Sequence, residues 1–478
     1  MESKINRITD ILRRDDGISG AMHYTEQISW ILFLKFLSDL EDSKYIDAQL
    51  DGENYTYILE EKYRWNIWAA PKKDGKIDLL NAQSGDDLLE FVNKELFPYL
   101  KSFKSISENP KSIKYKIGAI FEFLDNRIAN GHTLREILDI IDNMDFHSQS
   151  DLFQLSIIYE KLLKDMGSDG GNSGEFYTPR PLIKVITDVV NPTIGQTIYD
   201  PAVGSCGFLI EAYNHIRYID VEANKQRELS TDQLKFLNED TFFGNEKTPL
   251  SYVMGVMNMI LHGIESPNIS KSNTLTKNIR GLEEKDRFDC ILANPPFGGK
   301  EKEQIQSNFP IKSNATELLF LQHMMNHLKQ GGRCGVVIPE GVLFQTNNAF
   351  ASVKKELLEK FNIHTILSLP SGVFLPYSAV KTNVVFFDRA GSTSDIYYYE
   401  VNPPYKLTKN KPIVLEHFSE FLESWKDRKI TENSWIVNVN DIKDFDLSAK
   451  NPNKNEKIEH KSPIELVENI KLNNALIN

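Results

Sequence analysis

The sequence predicts an α/β protein: a Rossmann-like, doubly wound and mostly parallel sheet, preceded by a long helical region and followed by a helical tail. Three observations predict it. From about residue 197, short apolar runs alternate with helix-period stretches, the pattern of successive βαβ units. The first of those runs ends in Asp-Pro and a Gly-bearing turn that opens a helix, as ligand-binding edges of such sheets do. The first 165 residues or so, by contrast, show helical spacing only.

In chain order, "HYTEQISWILFLKFLSDLED" (23–42) sets Ile28, Ile31, Leu32, Leu34, Phe36 and Leu37 at helical intervals. "IGAIFEFLDNRI" and "LFQLSIIYEKLLKDMG" have the same texture, and Asp15-Asp16-Gly17 with Gly20 punctuates the first helices. A polar, Gly-rich link follows, "GSDGGNSGEFYTPRPL" (167–182). The strand-like runs are then "TIYDPA", "TFFGNE", "FDCILANPP", "RCGVVIPEGVLF", "HTILSLP" and "TNVVFFDR". Between them, "LSYVMGVMNMILHG", "TELLFLQHMMNHLKQGG" and "FASVKKELLEKF" are helical, with "KQGG" reading as a helix end. Past 395, "DIYYYEV" suits one more strand and "EHFSEFLESWKDR" a helix. "NPNKNEK" is a polar linker, and "SPIELVENIKLNN" a terminal helix capped by Ser462 with Pro463 at its first position. The resulting division is 1–165 helical, 166–395 α/β and 396–478 a C-terminal extension.

The bulk numbers set limits. At 478 residues the chain exceeds one compact core, so two or three units are expected. With 41% hydrophobic and 26% charged residues it reads as an ordinary soluble chain, with no apolar run near the ~20 residues of a membrane span. The start, "MESKINRITDILRRDDG", lacks the apolar centre of a signal peptide. Cys206, Cys290 and Cys334 form no CxxC pair, which fits a reducing cytoplasm and no metal. The net charge of −12 is awkward for a chain gripping nucleic acid unaided, since phosphates are met by Lys and Arg.

Two stretches carry chemistry. In "TIYDPAVGSCGFLIEAY" (197–213), Gly204 and Gly207 let the backbone approach a ligand at a helix start. There is no P-loop lysine and no G-x-G-x-x-G. Asp200 would repel a pyrophosphate but suits a cation, and Glu246, ending "FFGNE", is placed to accept ribose hydroxyls. A ligand with a ribose and a positive charge but no phosphate is S-adenosylmethionine. Cys206 fits a small buried residue of a crowded loop better than a nucleophile. The second stretch is "RFDCILANPPFGG" (287–299). Pro295 and Pro296 cannot continue a ladder, so the chain leaves the sheet at Asn294 in a stiff, extended form. Asn294 Oδ1 and the Pro295 carbonyl can accept from both N–H bonds of an exocyclic amine and localise its lone pair, and Phe297 offers a face for the base. No metal, covalent intermediate or general base is required.

These stretches, with "DDGISGAMHYTEQISWILFLKFLSDLE", "GEFYTPRPLIKVI", "NPPFG" and "GGRCGVVIPEGVLF", resemble the amino-group DNA methyltransferases. More narrowly, they resemble the methylation subunit of type I restriction-modification systems. The resemblance covers nearly the whole chain. It implies a Rossmann-like S-adenosylmethionine-dependent methyltransferase sheet and N6-methylation of a flipped adenine in double-stranded DNA. It implies that Glu175, Phe176, Tyr177, Thr178, Pro179 and Arg180 close over the methionine part of the cofactor, with Thr178 near its carboxylate. Asp200 and the loop Gly204, Ser205, Cys206, Gly207 match the cofactor loop, Glu246 the ribose acid, and Asn273 the partner of the cofactor's adenine, where many relatives have Asp. Asn294, Pro295, Pro296 and Phe297 match the catalytic segment, and Phe374 or Tyr377 a second aromatic against the flipped base.

The resemblance also implies partners: a separate specificity subunit that reads the sequence, two methylation subunits to each, and a restriction subunit in the full complex. A chain of net charge −12 would then borrow its grip on DNA, with Lys300 and Lys302 near the site as local exceptions. The amphipathic helices outside the catalytic fold are candidates for partner contacts. Two other functions fit the same edge: methylation of another planar nitrogen, such as a protein glutamine or an RNA base, and a non-catalytic scaffold. A 5-methylcytosine enzyme fits poorly, because that chemistry needs a Cys nucleophile and no Pro-Cys loop occurs in the sequence.

Overall fold

The computed structural model describes residues 2–73, 76–78, 81–144, 146, 155, 158–163, 178–217, 227–264, 266–376 and 378–453. Within the first third lie α1 (Glu2–Leu12), α2 (Ala21–Asp51), α3 (Gly85–Phe91), α4 (Phe97–Ile106), α5 (Ile113–Phe121) and α6 (Gly131–Asp142). α1 and α6 are amphipathic; α1 buries Ile5, Ile8 and Leu12 at helical intervals. α2 differs, because every residue from Tyr24 to Leu37 is buried, as in a helix enclosed by other elements. Its buried charges have partners: Lys35 pairs with Asp39, Glu26 with Arg127, and Glu41 accepts from the Ile58 N–H. Asp15 in the preceding turn accepts from the N–H groups of Gly17, Ala129 and Asn130, fastening the entry of α2 to the start of α6.

The remainder is built on one nine-stranded sheet. Its strands are β1 (Ile198–Asp200), β2 (Phe242–Glu246), β3 (Asn268–Lys271), β4 (Phe288–Ala293), β5 (Leu328–Pro339), β6 (Asn362–Ser368), β7 (Thr382–Asp388), β8 (Asp395–Glu400) and β9 (Ser434–Asn438). The spatial order is β9-β8-β6-β7-β5-β4-β1-β2-β3. β1 to β5 are mutually parallel, β7 runs antiparallel between β5 and β6, and β9 is an antiparallel edge. Strand succession runs outward from β1 in one direction through β2 and β3, and in the other through β4 and β5. The reversal lies between β1 and β4, and ligands of open α/β sheets bind outside the carboxyl ends at such a point.

Side chains alternate between two cores. Cys290, Leu292 and Val337 face α7 (Arg180–Val190), α8 (Gly207–Arg217) and α10 (Pro249–Leu261), and this core continues without a break into α1 to α6. Ile291, Ala293, Val336 and Ile338 face α11 (Thr316–His327) and α12 (Asn348–Lys360). α9 (Thr231–Glu239) is closed by a Ser230–Gln233 capping box. Among the described residues no helix is long and apolar enough to cross a membrane.

Three details differ from the sequence reading. "KQGG" does not end α11, which stops at His327; it lies in β5. Leu328 pairs with Phe288 and Arg333 with Cys290, so residues 329–332 bulge over one residue of β4, with Gly331 at φ +73° and Lys329 turned to Asp289. "EHFSEFLESWKDR" is a single 3₁₀ turn, Leu415–Phe418, followed by the short α13 (Ser419–Ser424). Strands β3 and β9 carry no strand signal that the reading used. The terminal helix expected at Ser462 and Pro463 lies outside the described residues.

Candidate functional site

β1 ends at Asp200, Pro201 turns the chain away, and the loop reaches α8 at Gly207. Several polar groups of this loop are held in place. Asp200 Oδ1 accepts from the Ala202 N–H at 2.9 Å. The Val203 N–H donates to the Asn245 carbonyl at 3.1 Å, and the Gly204 N–H to Glu246 Oε2 at 3.0 Å. Glu246 Oε1 accepts from the Thr248 N–H at 2.8 Å, so the acid at the end of β2 braces both its own turn and the loop. Gly204 and Cys206 have φ of +49° and +61°, a left-handed backbone that costs a non-glycine residue energy and is held here by the surroundings.

Two glycines that the sequence reading passed over make room for this loop. A Cβ at Gly244 would lie 2.2 Å from Val203 Cγ1, and one at Gly255 would lie 2.7 Å from the Gly204 carbonyl oxygen. Asn258 was also missed. Its Nδ2 donates to the Ser205 carbonyl at 2.9 Å and to Glu160 Oε1 at 2.8 Å, and Glu160 is paired with the Arg180 guanidinium. A lone amide within the apolar run "VMGVMNMIL" was the available signal.

Asp200 and Glu246 are both buried, and among the described residues no basic side chain pairs with either. Burial pushes the Asp200 carboxyl up to about 8; the Ala202 N–H opposes this and the Glu246 charge adds to it. Burial also raises Glu246, against the backbone N–H groups that hold it down. Two carboxylates without a counter-charge suit a cationic ligand. Cys206 is fully buried, and burial raises its thiol well above the ordinary value, which removes it as a nucleophile.

Asn273 follows β3 and caps a 3₁₀ turn, its Oδ1 accepting from the Leu275 N–H at 3.1 Å; this leaves Nδ2 as its donor. Thr274 Oγ1 donates to the Pro201 carbonyl and closes that side. β4 ends at Ala293, and Asn294 follows with its Nδ2 donating to Thr178 Oγ1 at 3.0 Å. Asn294 Oδ1 is buried and has no hydrogen-bond partner among the described residues. Pro295 is buried and Pro296 exposed. The loop beyond is fastened to α11, with the Gly298 N–H on Glu317 and the Thr316 N–H on the Gly299 carbonyl. Phe297 meets Phe374 edge-on, centroids 5.9 Å apart, and Phe374 is itself buried.

The structure brings Thr178, Asp200, Glu246, Asn273 and Asn294 to one cleft of about 550 Å³, with Met22 of α2 also on its wall. Pro179 caps α7, and Arg180 turns toward Glu160. Lys300 and Lys302 lie on the loop after Phe297. Glu175, Phe176, Tyr177 and Tyr377 lie outside the described residues.

Comparisons with known proteins agree along the chain. The N-6 DNA Methylase family matches residues 149–461, and the HsdM N-terminal domain matches residues 1–141. The methylase subunit of the type I restriction enzyme EcoEI from Escherichia coli is 35% identical over 98% of this chain and 93% of its own length. Among solved structures, the modification subunit of a putative type I restriction enzyme from Vibrio vulnificus YJ016 is similar with a TM-score of 0.85. It is 36% identical, with 96% of this chain and 99% of that one covered. A chain of a type I R-M system is similar with a TM-score of 0.80 and 41% identity, over 99% of this chain and 95% of that one.

Proposed function

Because the chain belongs to the N-6 DNA methylase family, as a methylation subunit of a type I restriction-modification system, we propose that the cleft at the carboxyl ends of β1 to β4 is where its cofactor and the target adenine meet. The protein is an adenine-specific DNA methyltransferase that works with a specificity subunit and uses S-adenosylmethionine. The cleft's chemistry fits that cofactor, since two buried carboxylates have no counter-charge among the described residues, beside a loop whose glycines admit close approach. When bound, S-adenosylmethionine supplies an electrophilic methyl group on a cationic sulfur.

In this reading Asp200 balances positive charge, Glu246 accepts ribose hydroxyls while bracing Gly204, and the loop Gly204, Ser205, Cys206, Gly207 supplies backbone at the helix start. Asn273 has an Nδ2 free to donate to a ring nitrogen of the cofactor's adenine. Segment 175–180 closes over the methionine part, with Thr178 beside its carboxylate. At the other side, Asn294 Oδ1 and the Pro295 carbonyl accept from the two N–H bonds of adenine N6. Two acceptors there favour a pyramidal nitrogen whose lone pair can attack, and their fixed directions keep reorganisation small. The proton leaves after the nitrogen has become cationic, so no base is assigned. Phe297 stacks on the base, with Phe374 behind it or Tyr377 opposite. The adenine reaches this edge by flipping out of the duplex, which costs a few kcal/mol.

The observation that carries the reading is the buried Oδ1 of Asn294, an acceptor with no donor among the described residues, as a substrate amine requires. Further parts of the reading are two methylation subunits to each specificity subunit, a cytoplasmic location, and functional units at 1–165, 166–395 and 396–478, the last contributing β9 and most of β8 to the sheet edge. The test is transfer of labelled methyl to genomic DNA, with and without a co-expressed specificity subunit, followed by nucleoside analysis. N6-methyladenine that appears with the partner and disappears in Asn294→Ala supports the assignment. Undiminished transfer by that variant would refute it.

A further inference from the structure

An asparagine offers two unlike faces, and only one of them can accept from an amine. Asn294, on the cleft wall, donates through Nδ2 to Thr178 Oγ1, 116 residues away in sequence, and its Oδ1 is left buried and without a partner among the described residues. Turned over, the amide would set its NH₂ against the substrate's NH₂, donor against donor. We propose that Thr178 is a positioning residue: its hydroxyl oxygen holds Nδ2 of Asn294 and so keeps the amide with Oδ1 available to the adenine amine. The inference rests on the reading of Asn294 as the catalytic amide, and it adds a second role for Thr178 to its place beside the cofactor's carboxylate.

Thr178 is itself anchored. Pro179 caps α7, and Arg180, its first residue, is paired with Glu160. Burial alone would raise the Glu160 carboxyl; the Arg180 guanidinium outweighs it and holds the group below its ordinary value. Asn258 then links Glu160 to the Ser205 carbonyl of the cofactor loop. The same guanidinium lies against the end of that loop, where a Cβ at Gly207 would come within 2.2 Å of Arg180 Nη1. The amide, the segment 178–180 and the cofactor loop are thus joined by polar contacts from one end to the other. A loose Thr178 could not hold the amide, and this anchorage removes that freedom.

The experiment compares Thr178→Val, Thr178→Ser and Asn294→Ala, each assembled with its specificity subunit, by single-turnover methyl transfer at saturating S-adenosylmethionine. Cofactor Kd is measured alongside by calorimetry. Valine keeps the shape and removes the acceptor, so the rate at saturating cofactor should fall about tenfold, the order expected of one hydrogen bond, whatever loss of cofactor affinity the Kd records. Serine should restore the rate to within threefold. If the valine variant melts early, Thr178→Ala measured below its melting temperature takes its place. A wild-type rate in the valine or alanine variant overturns the proposal. So does a tenfold rise in Kd with the saturated rate unchanged, which would give the hydroxyl to the cofactor. A loss that serine does not rescue also overturns it. Asn294→Ala separates the two levels: inactive beside a fully active Thr178→Val, it leaves the catalytic amide standing and removes only its positioning; active, it removes both.

Discussion

Cofactor affinity should depend on pH through Asp200, and the size follows from its surroundings. The side chain is 1% exposed, and burial, with the Glu246 charge, raises its carboxyl from near 3.8 to about 8. A cationic ligand binds the ionised form, so below pH 8 binding must expel a proton. Affinity then falls about tenfold per pH unit, or about 100-fold at pH 6, equivalent to about 2.7 kcal/mol. Asp200→Asn removes the titration, leaving affinity near the wild-type value at pH 6 and weaker by up to about 100-fold at pH 9. Stability of the free protein runs the other way. A carboxyl raised on folding contributes stability that is complete below its unfolded value near 3.8 and is lost as pH climbs through about 8. The assay is calorimetric titration with S-adenosylmethionine from pH 6 to 9 in buffers of different ionisation enthalpy, which counts protons released. The cofactor's own amino group titrates near 8, so the quantity read is the difference between wild type and variant. Parallel pH profiles for the two proteins, with equal proton release, would refute the reasoning.

Three other outcomes are expected. Gly255→Ala places a methyl 2.7 Å from the Gly204 carbonyl and 2.8 Å from Cys206 Sγ, so the loop must shift; cofactor Kd should rise at least tenfold and stability fall by about 1–3 kcal/mol, read by thermal melts with and without cofactor. Phe297→Ala removes a stacking face worth about 1–3 kcal/mol, raising KM for DNA roughly 5- to 100-fold, whereas Phe297→Tyr keeps it near wild type in steady-state assays. Cys206→Ala should retain methyl transfer to within a few-fold, and the native protein should resist thiol reagents at this position in a mass-spectrometric labelling experiment, because the buried thiol is held protonated.

What the sequence disclosed was what local chemistry determines. Asp200-Pro201 with its glycines, and Asn294 before two prolines, announce a strand end and a turn wherever they occur, and both lie where that reading put them. "KQGG" misled because Lys and Gly mark a helix end and a bulge alike. What decides between them is the pairing of Leu328 with Phe288, forty residues back, which no local signal contains. β3 and β9 are short and lie at the two edges of the sheet, so neither carries a long apolar run. In the site, residues that touch the loop through their own backbone neighbourhood were legible, but Gly255, Asn258 and Glu160 were not. Each is ordinary in its own helix and acquires a role only when that helix is laid against the loop.

α2 begins at the cleft wall with Met22 and is enclosed from Tyr24 to Leu37, and the core around it passes without interruption into one face of the sheet. Exchange between relatives is constrained by that continuity. A hybrid that joins the helical region of one subunit to the sheet of another would bring together two halves of a single jigsaw, mismatched where α2 meets α10. The methylation subunit itself should be inherited whole, and calorimetry of the intact chain should show its helices and sheet melting in one transition rather than two.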